Sequence, residues 1–258
     1  MQMLDLSING RGVATIRFDR PDKANSYTPA MLDRLGTYLE QCRDDSGVRV
    51  LVLRGAGRHF SAGAAMEAAE VADPAAKRRL IFEVCTLLDT LSKPTIAVVH
   101  GACIGGALAL VCCCDTVIAG HDAAFAIPEV RLGFAPGPLI PFFVRAMGER
   151  AVRHYLLSGE RFSGADALRI GLAHKLADAV SLEQTIDETL AAILLGAPGA
   201  QAHAKHVLQN EARVPIPLET LQRLQAEFER LTRSPEAVEG RASFTEKRKP
   251  QWYPPGAS

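Results

Sequence analysis

Two short glycine-bearing segments are where this sequence could do chemistry: Ser61-Ala62-Gly63-Ala64 and Ile104-Gly105-Gly106-Ala107. Each follows a β-rich apolar run and reads as a strand-to-helix turn. Glycine lets a chain turn sharply and lets a ligand approach the backbone closely. A helix beginning at Gly105 adds the positive end of its dipole. Two backbone N–H groups that converge on one point can hold negative charge developing on an oxygen. The same turns also fit a purely structural role as helix caps and close-packing glycines. Neither has the Gly-Lys-Ser/Thr of a phosphate loop or the GxGxxG spacing of a dinucleotide site.

The titratable residues say less by themselves. On residue types alone, Glu129 after Pro128 is a surface carboxylate pairing with Arg131. His203 and His206 lie three apart on a predicted helix, with no Cys or Glu at metal-binding spacing, and read as helix surface. The six cysteines are Cys42, Cys85, Cys103, Cys112, Cys113 and Cys114. Three are consecutive, which suits neither a disulfide framework nor a CxxC site. They are expected to be small buried hydrophobes, and no metal site is expected.

Lys plus Arg is 29 and Asp plus Glu is 29 in 258 residues, so the net charge is zero. A nucleic-acid partner would need a local basic patch, and none is expected. At 48% hydrophobic and 22% charged, the chain has globular rather than disordered composition. Met1 to Leu6 lacks the basic-then-apolar order of a secretory signal. The apolar run from Gly101 to Cys114 is too short to cross a bilayer. A soluble, cytoplasmic protein is expected.

The elements that must position the two turns follow from periodicity. Val13 to Phe18 alternates after Asn9-Gly10, a hairpin signal. Thr28 and Pro29 open a helix with Met31, Leu35, Tyr38 and Cys42 inside. Val48 to Leu53 and Thr95 to Val99 are buried strands. A helix whose stripe runs from Leu80 to Leu91 lies between them, opened at Asp73-Pro74. A further apolar helix ends near Cys114, and strands follow at Thr116 to Ala119 and around Phe125. Strands alternating with helices imply an α/β core built from crossover units. After about residue 137 the pattern turns mostly helical. Ser181 to Gln184 reads as a capping box, and Leu218, Leu221, Leu224, Phe228 and Leu231 mark an amphipathic helix.

Taken together, Phe60-Ser61-Ala62-Gly63-Ala64, His100-Gly101 through Ile104-Gly105-Gly106, Cys114-Asp115 and Pro128-Glu129 resemble the enoyl-CoA hydratase/isomerase (crotonase) superfamily. Arg20 to Asn25 and the stretch from Glu239-Gly240 to Pro250 are similar to its early and C-terminal signatures. The resemblance implies an α/β fold of repeated ββα units, a crotonase-like superhelix with a C-terminal helical trimerisation region. Residues 1–195 would form the acyl-CoA-binding core. Residues 196–258 would serve oligomerisation, as a homotrimer or dimer of trimers. It implies acyl-CoA thioesters as substrates, with coenzyme A entering as part of the substrate and no separate cofactor.

By position, the resemblance makes Ala64 and Gly106 the backbone donors to the thioester oxygen and Glu129 the catalytic acid/base. It places Lys23, Ala24, Ala62, Gly105, Met66 and Lys247 at the substrate, with Ala24 and Ala62 beside the adenine and Lys23 and Lys247 (or Arg248) near CoA phosphates. Two positions depart from the family pattern. Ala109 stands where the best-known hydratases carry a second glutamate, and Ala65 stands where an Asp is usual. Glu67 and Glu70 are candidate substitutes for the missing acid. The segment from Glu129 to Phe162 is more loosely similar to bacterial hydratases of branched, methylglutaconyl-type acyl-CoAs. The implied reaction is hydration of an enoyl-CoA. Isomerisation or decarboxylation by a single glutamate, or acyl-CoA binding without turnover, are the alternatives. The loop from Met66 to Arg79 and the region from Leu139 to Phe143 are the candidates for lining the acyl pocket.

Overall fold

A computed structural model describes residues 3–65, 80–196, 198–210 and 218–248. The chain opens with β1 (Leu4–Ile8) and β2 (Val13–Phe18), antiparallel, with Leu4 opposite Phe18 and Ile8 opposite Ala14. The hairpin predicted from Asn9-Gly10 forms, but its turn is built differently. The Asn9 side-chain oxygen accepts from the N–H groups of Arg11 (2.9 Å) and Val13 (3.1 Å). The left-handed residue is Gly12, at φ +75°, where a Cβ would lie 2.5 Å from the Gly47 carbonyl oxygen. The loop is therefore longer than a two-residue turn, and glycine is required at its far end.

Helix α1 (Pro29–Asp44) starts as expected: the Thr28 hydroxyl accepts from Met31 N–H at 3.3 Å, and Pro29 occupies the first position. Then come β3 (Val50–Gly55), α2 (Ile81–Asp89), β4 (Thr95–Val99), β5 (Ala102–Ile104), α3 (Gly106–Cys112), β6 (Thr116–Gly120) and β7 (Ala124–Ala126). The main sheet has the order β1-β2-β3-β4-β6-β9, with β9 at Lys175–Ala177, and every pair after the first is parallel. Its central strands are buried on both faces, which explains the apolar runs Val50 to Leu53 and Ile96 to Val99. Leu51, Leu53, Ala97 and Val99 face the main core under α1, α2 and α3. Val50, Val52, Ile96 and Val98 face Ile186 and Leu190 of α7 (Leu182–Leu194).

A second sheet has the order β5-β7-β8, with β8 at Phe162–Ser163. β8 and β9 fall in the region expected to be helical. With two or three residues each, they have no periodicity to read. The remaining helices are α4 (Ile140–Met147), α5 (Glu149–Ser158), α6 (Gly164–Arg169), α8 (Pro198–Asn210), α9 (Leu218–Thr232) and α10 (Pro235–Thr245). The capping box read at Ser181 is absent. The Ser181 N–H and hydroxyl both bond the Asp178 carboxylate, at 2.7 and 2.8 Å, so its side chain is turned away from its helix. A capping box forms instead at Ser163 and Asp166.

The C-terminal helices lie on the core of their own chain. Lys205 on α8 donates to the Asp115 carboxylate at 2.7 Å, and the same carboxylate accepts from Thr95 N–H at 2.8 Å. Leu221 on α9 joins the main core. Gly240 on α10 packs so tightly that a Cβ there would lie 2.4 Å from the Leu132 carbonyl carbon. His203 and His206 are exposed on α8. Among the described residues, no helix is long and apolar enough to cross a membrane.

Candidate functional site

The first glycine turn is strapped into place from both sides. Ser61 N–H donates to Ala102 carbonyl oxygen at 3.0 Å, and Ile104 N–H donates back to Ser61 at 3.1 Å, which seats the turn along β5. On the other side, Tyr27 N–H donates to Gly63 at 2.9 Å and Ala65 N–H donates to Tyr27 at 2.9 Å. These two bonds form a parallel bridge whose central residue is Ala64. In a parallel pair the neighbours of the central residue make the bonds, so its own N–H faces the opposite way. The Ala64 N–H is thus directed away from Tyr27, toward the side where β5 lies.

The second turn ends on that side. Gly105 sits at φ +57° and donates its N–H to Ala126 at 2.9 Å. Gly106 is the first residue of α3, so its N–H has no acceptor within the helix. Among the described residues, neither the Ala64 nor the Gly106 N–H has a hydrogen-bond partner.

Glu129 opens a 3-10 turn (Glu129–Leu132) against Gly105. A Cβ on Gly105 would lie 2.7 Å from Glu129 Oε1, so glycine there makes room for the carboxyl. Glu129 is only 9% exposed, and its Oε2 has no partner among the described residues. Burial pushes its pKa up from 4.5 to about 7, and a backbone hydrogen bond opposes the shift. The surface pairing with Arg131 suggested by residue types does not occur. The Arg131 Nε donates instead to the Ser158 carbonyl oxygen at 2.9 Å.

Asn25 fixes the early turn. Its buried amide donates to the carbonyls of Ala56 (2.8 Å) and His59 (2.7 Å), and its oxygen accepts from Arg20 N–H (2.8 Å). Ser61 Oγ donates to the Asn25 carbonyl at 2.8 Å, and Ala62 N–H donates to Ala24 at 2.9 Å. Ala24 and Asn25 are left-handed, at φ 48° and 55°. The fold therefore brings Ala24, Ala62, Ala64, Gly105, Gly106 and Glu129 to one place. Lys23 is exposed beside that turn.

Lys247 is exposed beyond α10, left-handed at φ 52°. Arg248, its alternative, is bound in ion pairs with Glu239 and Glu246. Met66, Glu67, Glu70 and the loop to Arg79 lie outside the described residues. Ala109 is fully buried in α3 and adds no carboxylate. Phe142 and Phe143, candidates for the acyl pocket, are core residues. No group of three or more His, Cys, Asp or Glu among the described residues is placed to hold a metal ion.

Tyr27 and Asn25 are parts of the site that residue patterns did not single out. Tyr27 precedes a helix cap and looks like any core aromatic. Its position between the two turns follows only from the strand bridge. Burial, with Cys85 and Glu129 nearby, raises its pKa well above the ordinary phenol value.

The sequence matches the enoyl-CoA hydratase/isomerase family over residues 9–254. It is 33% identical to a carnitinyl-CoA dehydratase of Proteus mirabilis, over 97% of this chain and 98% of that one. It is 31% identical to a probable enoyl-CoA hydratase of Bacillus subtilis, over 98% and 99% of the two chains. Its structure superposes on that of a carnitinyl-CoA hydratase from Mycobacterium avium with a TM-score of 0.86, at 30% identity over 98% and 99%. Match, coverage and architecture agree: the chain belongs to the enoyl-CoA hydratase/isomerase family.

Proposed function

We propose that this protein adds water across the 2,3 double bond of an enoyl-CoA thioester. The observation that carries this reading is the Glu129 carboxyl, buried against Gly105, with its Oε2 unpartnered among the described residues and its pKa raised to about 7. A group poised there takes and returns a proton at neutral pH. The Ala64 and Gly106 N–H groups hold the thioester oxygen as the enolate forms. Glu129 takes a proton from water, the hydroxide adds to C3, and Glu129 returns a proton to C2. One carboxyl thus serves both steps, because Ala109 supplies no second one.

Ala24 and Ala62 present backbone to the adenine end of CoA, with Lys23 and Lys247 near its phosphates. The acyl group is a branched one, as the similarity of the segment from Glu129 to Phe162 suggests. No cofactor beyond CoA takes part, and the enzyme works in the cytoplasm. Residues 1–195 form the catalytic unit, and residues 196–258 assemble it as a trimer or dimer of trimers. The exposed Leu195, Leu208, Leu218 and Phe244 support that assembly.

The test is incubation with straight and branched 2-enoyl-, 3-enoyl- and malonyl-type thioesters, with product analysis. The expected product is a 3-hydroxyacyl-CoA. Double-bond migration or loss of carbon dioxide as the main reaction would overturn the hydratase assignment. Tight binding with no turnover of any thioester would make this an acyl-CoA-binding protein instead.

A further inference from the structure

We propose that the hydroxyl of Tyr27 is a third hydrogen-bond donor to the thioester oxygen, a catalytic residue standing beside the Gly106 N–H. This rests on the oxyanion reading of the two turns. The Tyr27 backbone is bridged to Ala64, so the residue begins at one of the two donors. Its side chain ends at the other. A Cβ built on Gly106 would lie 2.0 Å from Tyr27 Oη and 3.0 Å from Cζ. In a helix the Cα–Cβ bond tilts toward the N-terminus, and the N–H of the first residue points the same way. The hydroxyl therefore occupies the side of α3 on which the free Gly106 N–H emerges.

The hydroxyl is otherwise uncommitted. Tyr27 is 7% exposed, and its hydroxyl makes no hydrogen bond among the described residues. Its oxygen is not among the fully buried atoms that lack a partner, so it is open to a ligand's acceptor. Burial and the neighbouring Glu129 keep the proton on the phenol, so it acts as a neutral donor rather than as a base. The bond it makes also strengthens as charge develops on the thioester oxygen, which is what lowers a barrier. In a site whose helix carries Ala109 instead of a second carboxylate, this donor adds stabilisation of the enolate without adding a charge. Gly106 then has two reasons to be glycine: access for the thioester, and room for the phenol.

The test is Tyr27→Phe, which keeps the ring and removes one oxygen. The turnover number on an enoyl-CoA hydrated by the wild type is expected to fall about a hundredfold, with KM changed only a few-fold. The thermal midpoint is expected to stay within a few degrees. A second measurement needs no turnover: the infrared carbonyl stretch of a saturated acyl-CoA labelled with carbon-13 at C1. Binding to the wild type is expected to lower that stretch more than binding to Tyr27→Phe. An unchanged turnover number overturns the proposal. So does a fall in turnover with an identical carbonyl shift in the two proteins, because the hydroxyl would then be acting only on the fold. If the wild type hydrates no enoyl-CoA, the hydratase reading fails and the infrared comparison still decides the role of Tyr27.

Discussion

Replacing Glu129 by glutamine removes a charge that the fold holds at a cost. The carboxyl has a pKa of about 7 in the folded chain against 4.5 for an ordinary glutamate, and burial is the cause. The folded state therefore holds the proton more tightly than the unfolded one. Between pH 4.5 and about 7 it binds more protons, so stability falls as pH rises through that window. Above it the full cost of burying the carboxylate is present, about 3 kcal/mol. Glutamine has nearly the same shape and no charge at any pH. Glu129→Gln is thus expected to match the wild type at pH 4 and to exceed it increasingly up to pH 8. At one protein concentration the gain is of the order of 5–10 °C in thermal midpoint. Hydratase turnover is expected to drop at least about a hundredfold, because proton transfer is lost. Wild-type kcat/KM should rise with pH toward 7 and level off, since the basic form is the active one. A stability difference that does not change with pH would refute the buried-carboxylate argument. Wild-type turnover by the glutamine variant would refute its role as the acid/base.

Two further substitutions probe the scaffold. Gly105→Ala puts a Cβ 2.7 Å from Glu129 Oε1 on a residue at φ +57°. It is expected to lower kcat at least about tenfold by displacing the carboxyl, with acyl-CoA affinity by calorimetry changed much less. Asn25→Ala removes two bonds to backbone carbonyls and one from Arg20 N–H in a fully buried setting. It is expected to cost about 3 kcal/mol in denaturant unfolding and to weaken acyl-CoA binding, because the Ala24 turn loses its anchor.

The parts of the fold legible in the sequence are those whose periodicity is set by burial over several residues. β3 and β4 carry the apolar runs Val50 to Leu53 and Ile96 to Val99 because both faces are covered, and α1 shows its cap, its proline and its stripe. β5, β8 and β9 escape such reading because two or three residues carry no period. Ser181 failed as a cap because Asp178, three residues earlier, captured its hydroxyl. The glycine turns are legible as turns, but the direction of the Ala64 N–H depends on a bridge to Tyr27 that no local pattern encodes. Glu129 looked like a surface carboxylate by itself. Its burial comes from Gly105 and from neighbours distant in sequence, α10 being packed on the Glu129 turn through Gly240.

The Glu129 carboxyl and the alanine at 109 belong to one arrangement. A group that must both accept and return a proton works best with a pKa near the ambient pH. Two routes raise a carboxyl that far: removal from water, or a second negative charge close by. In this site removal from water is the largest cause, and no second carboxylate among the described residues contributes. A glutamate at 109, one helical turn beyond Gly106 in the fully buried α3, would add the second route to the first. It would push one of the pair well above neutrality and leave it protonated. With the Ala109 methyl there instead, the apolar wall stays intact and Glu129 stays titratable near neutral pH. In the proposed mechanism, polar help for the reacting oxygen then comes from neutral donors, the backbone N–H groups and the Tyr27 phenol.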